Sequence, residues 1–220
     1  YHWVRRVMLA RKARLVKHNS RLSQGSLLDI GTGTGYFPHF MQERGWHVSA
    51  IEKSPQARQF AKEHFELDVA APEALNEFAD KSFDVITLWH VMEHLEHLNE
   101  TWETLKRILK DQGILIIAVP NPTSFDAEKY KEMWGAYDVP RHLWHFSPSV
   151  MQQFGAKHDF ILCERHPMPF DAFYVSMLSE KYRKSAFPFI KGLITGAEAW
   201  IVSLAKKDRS SSMIYVFRKK

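Results

Sequence analysis

Residues 27–37 read LLDIGTGTGYF: a short apolar run, an aspartate, and then Gly31, Gly33 and Gly35 within five positions. Glycine reaches positive φ at little cost and lets another molecule lie close against the main chain. A phosphate loop of the form G-x-x-x-x-G-K-[ST] needs a lysine after its last glycine, and none follows here. A dinucleotide loop needs G-x-G-x-x-G, and the third glycine would fall on Tyr36. Neither pyrophosphate pattern fits.

Two carboxylates flank the glycines. Asp29 precedes them directly, and Glu52 follows the apolar stretch HVSAI at 52 − 31 = 21 residues after Gly31. An acid at the end of a second strand accepts two hydrogen bonds from a ribose diol. Asp29 is placed to brace the loop or to receive an ammonium. A cofactor with a ribose, an amino-acid ammonium and no phosphate meets these demands: S-adenosyl-L-methionine. The bland alternative is ordinary turn glycines braced by a buried aspartate.

These residues must be held by a sheet. Apolar runs at 26–30, 47–52, 66–70, 83–89, 114–120, 160–166 and 213–219 predict seven strands. Helices are expected over 2–18, with Trp3, Val7 and Ala10 as its apolar stripe, over 36–44, from Ser54 with Pro55 at the first turn, from about His90 to a stop at Gly113, and from Ser147 to about 158. The forty-odd residues before the last strand are too long for a bare loop and read as helical. This alternation predicts an α/β, Rossmann-like, seven-stranded, mostly parallel sheet with helices on both faces. An N-terminal helix and a helical insert before the last strand complete it. Ligands then sit at the carboxyl ends of the strands. One domain is expected over 1–220: a lid helix (1–24), a cofactor core (25–166), the insert (167–212) and the last strand (213–220).

Over residues 27–160 the chain resembles the class I S-adenosylmethionine-dependent methyltransferases. It looks most like the group holding the ubiquinone-biosynthesis O-methyltransferases and uncharacterised bacterial members. The resemblance implies that Gly31, Gly33 and Gly35, with Thr32 and Tyr36 in the same loop, line the methionine and ribose. Asp29 is then by the ammonium, Glu52 on the ribose and Lys53 beside the adenine. Relatives often place an acid or amide by the adenine; here that zone reads AAPEAL, leaving Glu73 or the Ala71 backbone. Trp89 and His90 are expected at the sulfonium side. His90, Glu93 and His94 form H-x-x-E-H, a string some zinc proteases carry within a long helix. In ubiquinone-type relatives acidic and histidine residues here are linked with a divalent metal, but His90 stands where they tend to have glutamate. The expectation is no metal, with His94 touching the cofactor.

The loop after the 114–120 strand carries Tyr130, Trp134, Tyr137, Asp138, Arg141, His142, Trp144 and His145, suited to a planar or lipid-like acceptor. The alternative makes Trp134, Trp144 and Phe146 core. His142 is the first candidate base and His145 the second, because imidazole titrates near neutrality. Arg141 is placed to hold an anionic group or to pair with Asp138.

Composition sets the outer bounds. The chain has 220 residues, 45% hydrophobic and 25% charged, enough for one core and unlike a disordered segment. Net charge is +5, with Arg5, Arg6, Arg11, Lys12, Arg14 and Lys17 crowded at the start. Most simply these form a solvated helix face; the sharper readings are attraction to anionic lipid, nucleic acid or an acidic substrate. No nucleic-acid motif is present, so none is expected as partner. The single cysteine, Cys163, fits a reducing compartment. No leader peptide is read at the start. Charges and glycines in residues 186–205 argue against a spanning helix. Expected, then, is a cytoplasmic enzyme, monomer or homodimer, methylating a small or lipid-like acceptor at oxygen, with peripheral membrane contact left open. The alternatives are an NAD-dependent oxidoreductase and a non-catalytic S-adenosylmethionine-binding module.

Overall fold

The structure is a computed structural model describing residues 2–220; Tyr1, the first residue of the expected lid segment, lies outside them. A helix, α1 (His2–Ser20), precedes a six-stranded sheet: β1 (Ser26–Ile30), β2 (His47–Ile51), β3 (Phe83–Trp89), β4 (Leu109–Pro120), β5 (Phe160–Pro167) and β6 (Ser212–Lys219). Their order is β2-β1-β3-β4-β6-β5, and only β6 runs antiparallel to its neighbours. The chain steps outward from β1 to β2 and then returns past β1 to β3. Winding therefore reverses there, and a crevice opens at the carboxyl ends of the strands.

The other elements are α2 (Tyr36–Gln42), α3 (Pro55–Phe65), α4 (Leu98–Ile108), α5 (Phe125–Tyr130), α6 (Pro148–Lys157), and the pair α7 (Asp171–Tyr182) and α8 (Pro188–Ala205) between β5 and β6. Two helices start as their sequences predict. Ser54 Oγ accepts from Ala57 N and Ser147 Oγ from Val150 N, each with proline in the first turn.

Strand β4 shows how the sheet divides the core. Leu115, Ile117 and Val119 pack on one face with Trp102 of α4 and Met151 of α6. Ile114, Ile116 and Ala118 pack on the other with Ala13 and Val16 of α1 and Phe37 and Met41 of α2. A strand covered on both faces needs this continuous apolar run. Trp102 is fully buried, edge-on to Phe154, Phe160 and Phe217 at 5.3–5.4 Å between centroids.

The structure corrects four expectations. There are six strands, not seven. Residues 66–70 make only one bridge, Ile51 to Ala70, because Glu66 ends α3 in a left-handed conformation and Pro72 soon opens a 3-10 turn. The helix expected from His90 begins only at Leu98. His90 takes φ +58 and sends its N–H to Ala118 O, while Glu93 O accepts Leu143 N, so these groups are lost to the helix ladder. Gly113 does not close that helix either: α4 ends at Ile108, and Gly113 lies within β4, where a Cβ would come 2.7 Å from the Leu109 side chain. Finally, Trp3, Val7 and Ala10 of α1 face outward. Leu9, Ala13 and Val16 meet the sheet instead, since α1 carries no strong stripe and docking chooses its face.

Removing the Trp102 ring leaves a large void that three aromatic neighbours cannot close. Trp102→Ala is expected to lower unfolding free energy by about 3–5 kcal/mol, read as a shifted denaturation midpoint at unchanged slope.

Candidate active site

At the carboxyl ends of β1, β2 and β3 the glycine loop turns back over the sheet. Gly31 N and Thr32 N both donate to Ile51 O, at 2.8 and 3.0 Å. Gly33 N donates to Glu52 Oε2 at 2.7 Å, and Ser54 N to Glu52 Oε1 at 2.8 Å. One carboxylate thus ties the loop after β1 to the start of α3. Gly31 has φ +68 and a Cβ there would strike Val91 Cγ2 at 2.3 Å; at Gly33, with φ +58, a Cβ would meet nothing within 4 Å. One glycine is needed for packing, and the other leaves bare main chain facing open space.

A cleft of about 1060 Å³ opens beside this loop. Of the residues expected to hold the cofactor, Gly31, Glu52, Lys53, Ala71, Glu73, His90 and His94 line it, as does the candidate acceptor residue Arg141. Lys53 Nζ reaches across to Glu96 Oε1 at 3.9 Å. Thr32 and Gly33 stay in the loop above. The remainder sit elsewhere. Gly35 is buried against Ala61 and Leu67. The Tyr36 ring lies edge-on to Phe65 at 4.9 Å and under the Arg5 guanidinium at 3.8 Å. Trp89, expected at the sulfonium side, is buried on the α1 side against Phe37 at 5.6 Å, because strand alternation turns it away from the cleft.

Beneath the loop lies a set of buried and half-buried charges. Asp29 is 2% exposed and accepts from Thr87 Oγ1 at 2.5 Å. Burial pushes its carboxyl up to about 6, against the pull of that hydrogen bond. Lys12 of α1 stands over the Trp89 ring, with Nζ 4.3 Å from the centroid; desolvation holds its pKa down, while Asp29 and Asp171 oppose this. His90 Nε2 is 3.0 Å from Asp171 Oδ2 of α7, and Nδ1 is 3.4 Å from Glu93 Oε1. Burial lowers the His90 pKa, but the two carboxylates outweigh it and carry it up to about 10. Two carboxylates thus favour the charged form of His90, which clamps α7 to the end of β3.

The candidate acceptor residues fall into two places. His142 lies behind His94, ring centroids 4.6 Å apart, with Nδ1 2.8 Å from Ala136 O. His145 lines a neighbouring hollow of about 420 Å³ with Trp144 and Phe146, and burial together with His142 lowers its pKa. Arg141 is exposed, its Nη2 3.3 Å from Asp138 Oδ1. Trp134 and Phe146 are core, whereas Trp144 is partly exposed and donates through Nε1 to Leu95 O at 2.7 Å.

The expectation of no metal meets a group able to hold one. Glu93, His94 and His142 bring ligand atoms within 4.8 Å of one another. His94 Nδ1 faces Arg141 O at 3.0 Å and His142 Nδ1 faces Ala136 O. If each Nδ1 carries the proton, both Nε2 lone pairs are free to ligate, the usual arrangement around metal-bound histidines. Glu93 is 1% exposed, and its carboxylate faces His90 Nδ1 at 3.4 Å, too poorly aligned for a hydrogen bond. His90 does not fit, since both its ring nitrogens already face carboxylates, Asp171 at 3.0 Å and Glu93 at 3.4 Å.

A family described as a methyltransferase domain matches residues 1–163. The chain belongs to the methyltransferase-domain family. Membership bears out the resemblance read from the sequence, with S-adenosylmethionine as the cofactor. An uncharacterized methyltransferase of Staphylococcus carnosus is 33% identical over 112 residues, 50% of this chain and 53% of that protein. A ubiquinone biosynthesis O-methyltransferase of Pelagibacter ubique is 34% identical over 104 residues, 44% of this chain and 42% of that one. The matches thus span about half the length of these relatives. Among solved structures, a SAM-dependent methyltransferase from Archaeoglobus fulgidus aligns with TM-score 0.63 at 19% identity, covering 98% of this chain and 94% of that one. Phosphoethanolamine N-methyltransferase 2 of Haemonchus contortus, in complex with S-adenosyl-L-methionine, aligns at TM-score 0.62 and 20% identity, covering 96% of this chain and 52% of that one. These likenesses show the fold.

Two residues that pack beneath the cleft escaped sequence reasoning. Lys12 belongs to a basic run that looks solvated, and its burial follows only from how α1 docks. Asp171 opens the α7–α8 segment, outside the matched residues, and nothing local marks it as the partner of His90.

Two measurements follow. A carboxyl whose folded pKa lies above its unfolded value favours the fold below pH 3.8, and that advantage is lost as pH rises through about 6. Asp29→Asn in the cofactor-free protein is therefore expected to gain about 2–3 kcal/mol at pH 8 and almost nothing at pH 4, by urea unfolding. In addition, calorimetry with Mn²⁺ is expected to show binding that Glu93→Gln weakens at least tenfold. A flat titration of the parent protein would remove the metal reading.

Proposed function

We propose that this chain transfers a methyl group from S-adenosylmethionine to an oxygen of a small or lipid-like acceptor. The observation that carries the proposal is the Glu52 carboxylate. It is fixed by the Gly33 and Ser54 amides at the edge of a cleft large enough for a nucleoside. Relatives named as O-methyltransferases support oxygen as the methylated atom.

When bound, S-adenosylmethionine supplies a methyl on a cationic sulfur, already activated for displacement. The protein's own residues then have three tasks. At one end Glu52 accepts the ribose hydroxyls on lone pairs that the two amides leave free, while the open side of Gly33 gives close approach. Lys53, Ala71 and Glu73 border the adenine, and Asp29 favours the ammonium from below. At the other end the acceptor must lose a proton as its oxygen gains the methyl. With no metal in the Glu93–His94–His142 group, His94 on the cleft wall takes that proton and hands it to His142 behind it, the first candidate base, with His145 as the second. Arg141 at the rim holds an anionic group of the acceptor. The third task is alignment and exclusion of water, since displacement at an activated carbon needs little else. Here α1 and the α7–α8 pair act as a lid over a core formed by residues 25–166. Lys12 and the His90–Asp171 pair hold both parts of the lid to the sheet.

Calorimetry with S-adenosylhomocysteine is expected to give micromolar binding and NAD none. Glu52→Ala should weaken that binding at least tenfold. His142→Ala is expected to cut turnover roughly 10²–10⁴-fold while leaving product affinity within about threefold. Heat with NAD in place of S-adenosylhomocysteine would defeat the reading, and unchanged turnover would remove His142 from it.

A further inference from the structure

Helix α8 is built inside out. Its 18 residues bury Gly192, Thr195, Gly196, Ala199 and Ser203. The two glycines bring α8 against α7: a Cβ on Gly192 would lie 2.6 Å from Met177 Cα, and one on Gly196 would lie 2.8 Å from Phe173 Cα. The large apolar side chains point the other way. Phe189, Ile194, Ile201 and Leu204 are 63, 56, 62 and 67% exposed, and Leu193 and Trp200 stand on the same side. Spacings of three, four and seven residues make this one stripe. In an ordinary surface helix the large apolar residues would face inward; here close packing of small residues consumes the inner face. A contiguous apolar patch of this kind marks a contact surface.

Charge says what covers it. From Lys181 to Lys191 there are four cations, Lys181, Arg183, Lys184 and Lys191, and no acid. All four are exposed, and none has an ion-pair partner among the described residues. Phe187 and Phe189 are interleaved with them. The far end of α8 adds Lys206 and Lys207, both exposed. The acid beside the stripe, Glu198, is already paired with Lys129, and Asp208 with Arg165 at 2.9 Å. The surface around the stripe is therefore net cationic. A second copy of this chain would bring the same cations face to face. A partner that is apolar within and anionic at its surface fits both features at once.

We propose that the α7–α8 hairpin docks this protein on an anionic lipid bilayer, with the outer stripe of α8 lying in the boundary between headgroups and acyl chains. Docking is parallel to the surface, because no helix among the described residues is long and apolar enough to cross a membrane. The proposal goes beyond methyl transfer and does not depend on it.

Vesicle flotation of the whole chain tests it, comparing pure phosphatidylcholine with a phosphatidylcholine–phosphatidylglycerol mixture. The protein is expected to float with the anionic vesicles only, and to be released by high salt. Lys184→Ala with Lys191→Ala is expected to reduce partitioning roughly twentyfold. Ile194→Glu with Ile201→Glu should abolish it. Both pairs change exposed side chains, so circular dichroism and melting should match the parent. Equal flotation with both vesicles, none with either, or an apolar-face variant that still floats would overturn the proposal. So would sedimentation showing a dimer that Ile194→Glu with Ile201→Glu dissociates while the parent ignores vesicles.

Discussion

The site depends on one carboxylate holding two main-chain amides. Glu52 lies just beyond β2, and its two oxygens take the amides of Gly33 and Ser54. Besides that bridge, the Ile51 carbonyl holds the loop after β1 through Gly31 and Thr32. An ionised acceptor of two N–H bonds is stronger and shorter than a neutral one. It also keeps unused lone pairs directed at the cleft. The same group can therefore shape the loop and read a ligand, which is economical in a parallel sheet where only strand ends reach solvent.

Beneath that bridge the protein tolerates charge in its interior. Lys12, Asp29, Asp171, His90 and Glu93 come from α1, β1, α7 and the turn after β3, so every link but His90–Glu93 joins parts far apart in sequence. Burying such groups is costly unless they are paired. Here pairing is uneven. His90 and Asp171 satisfy one another, while Asp29 is pushed toward its neutral form and Lys12 rests on an aromatic face. Groups with perturbed titration of this kind gather in functional sites. His90 adds a strained backbone, with φ +58 held by the Ala118 carbonyl.

The α7–α8 hairpin obeys different rules from the rest. The sheet is built from large apolar residues facing inward. The hairpin is held by small residues in close contact, leaving its large side chains outside. It also lies beyond the residues matched by the family. The cleft lies within the residues the family matches, and the exposed stripe lies beyond them.

Much of this was legible in advance because it is local. A glycine loop after an apolar strand, an acid 21 residues on, and serine–proline helix starts each depend on neighbours a few residues away. Sequence alone thus determined the alternating α/β order, the switch-point cleft and the cofactor class. Other features needed the fold. Residues 66–70 have strand character but only one bridge to make, and residues 90–97 have helical spacing but give Glu93 O to Leu143 N. Trp89 turned away from the cleft because alternation along β3 fixes its face, and Lys12 went inward because α1 docks by a face its own pattern does not mark. His142 and His94, 48 residues apart, meet beside Glu93 only once the loop after β4 folds back. Backbone preference and periodicity are properties of short stretches, so sequence carries them. Burial, charge pairing and which surface stays uncovered are properties of distant segments brought together, and the tertiary structure alone decides those.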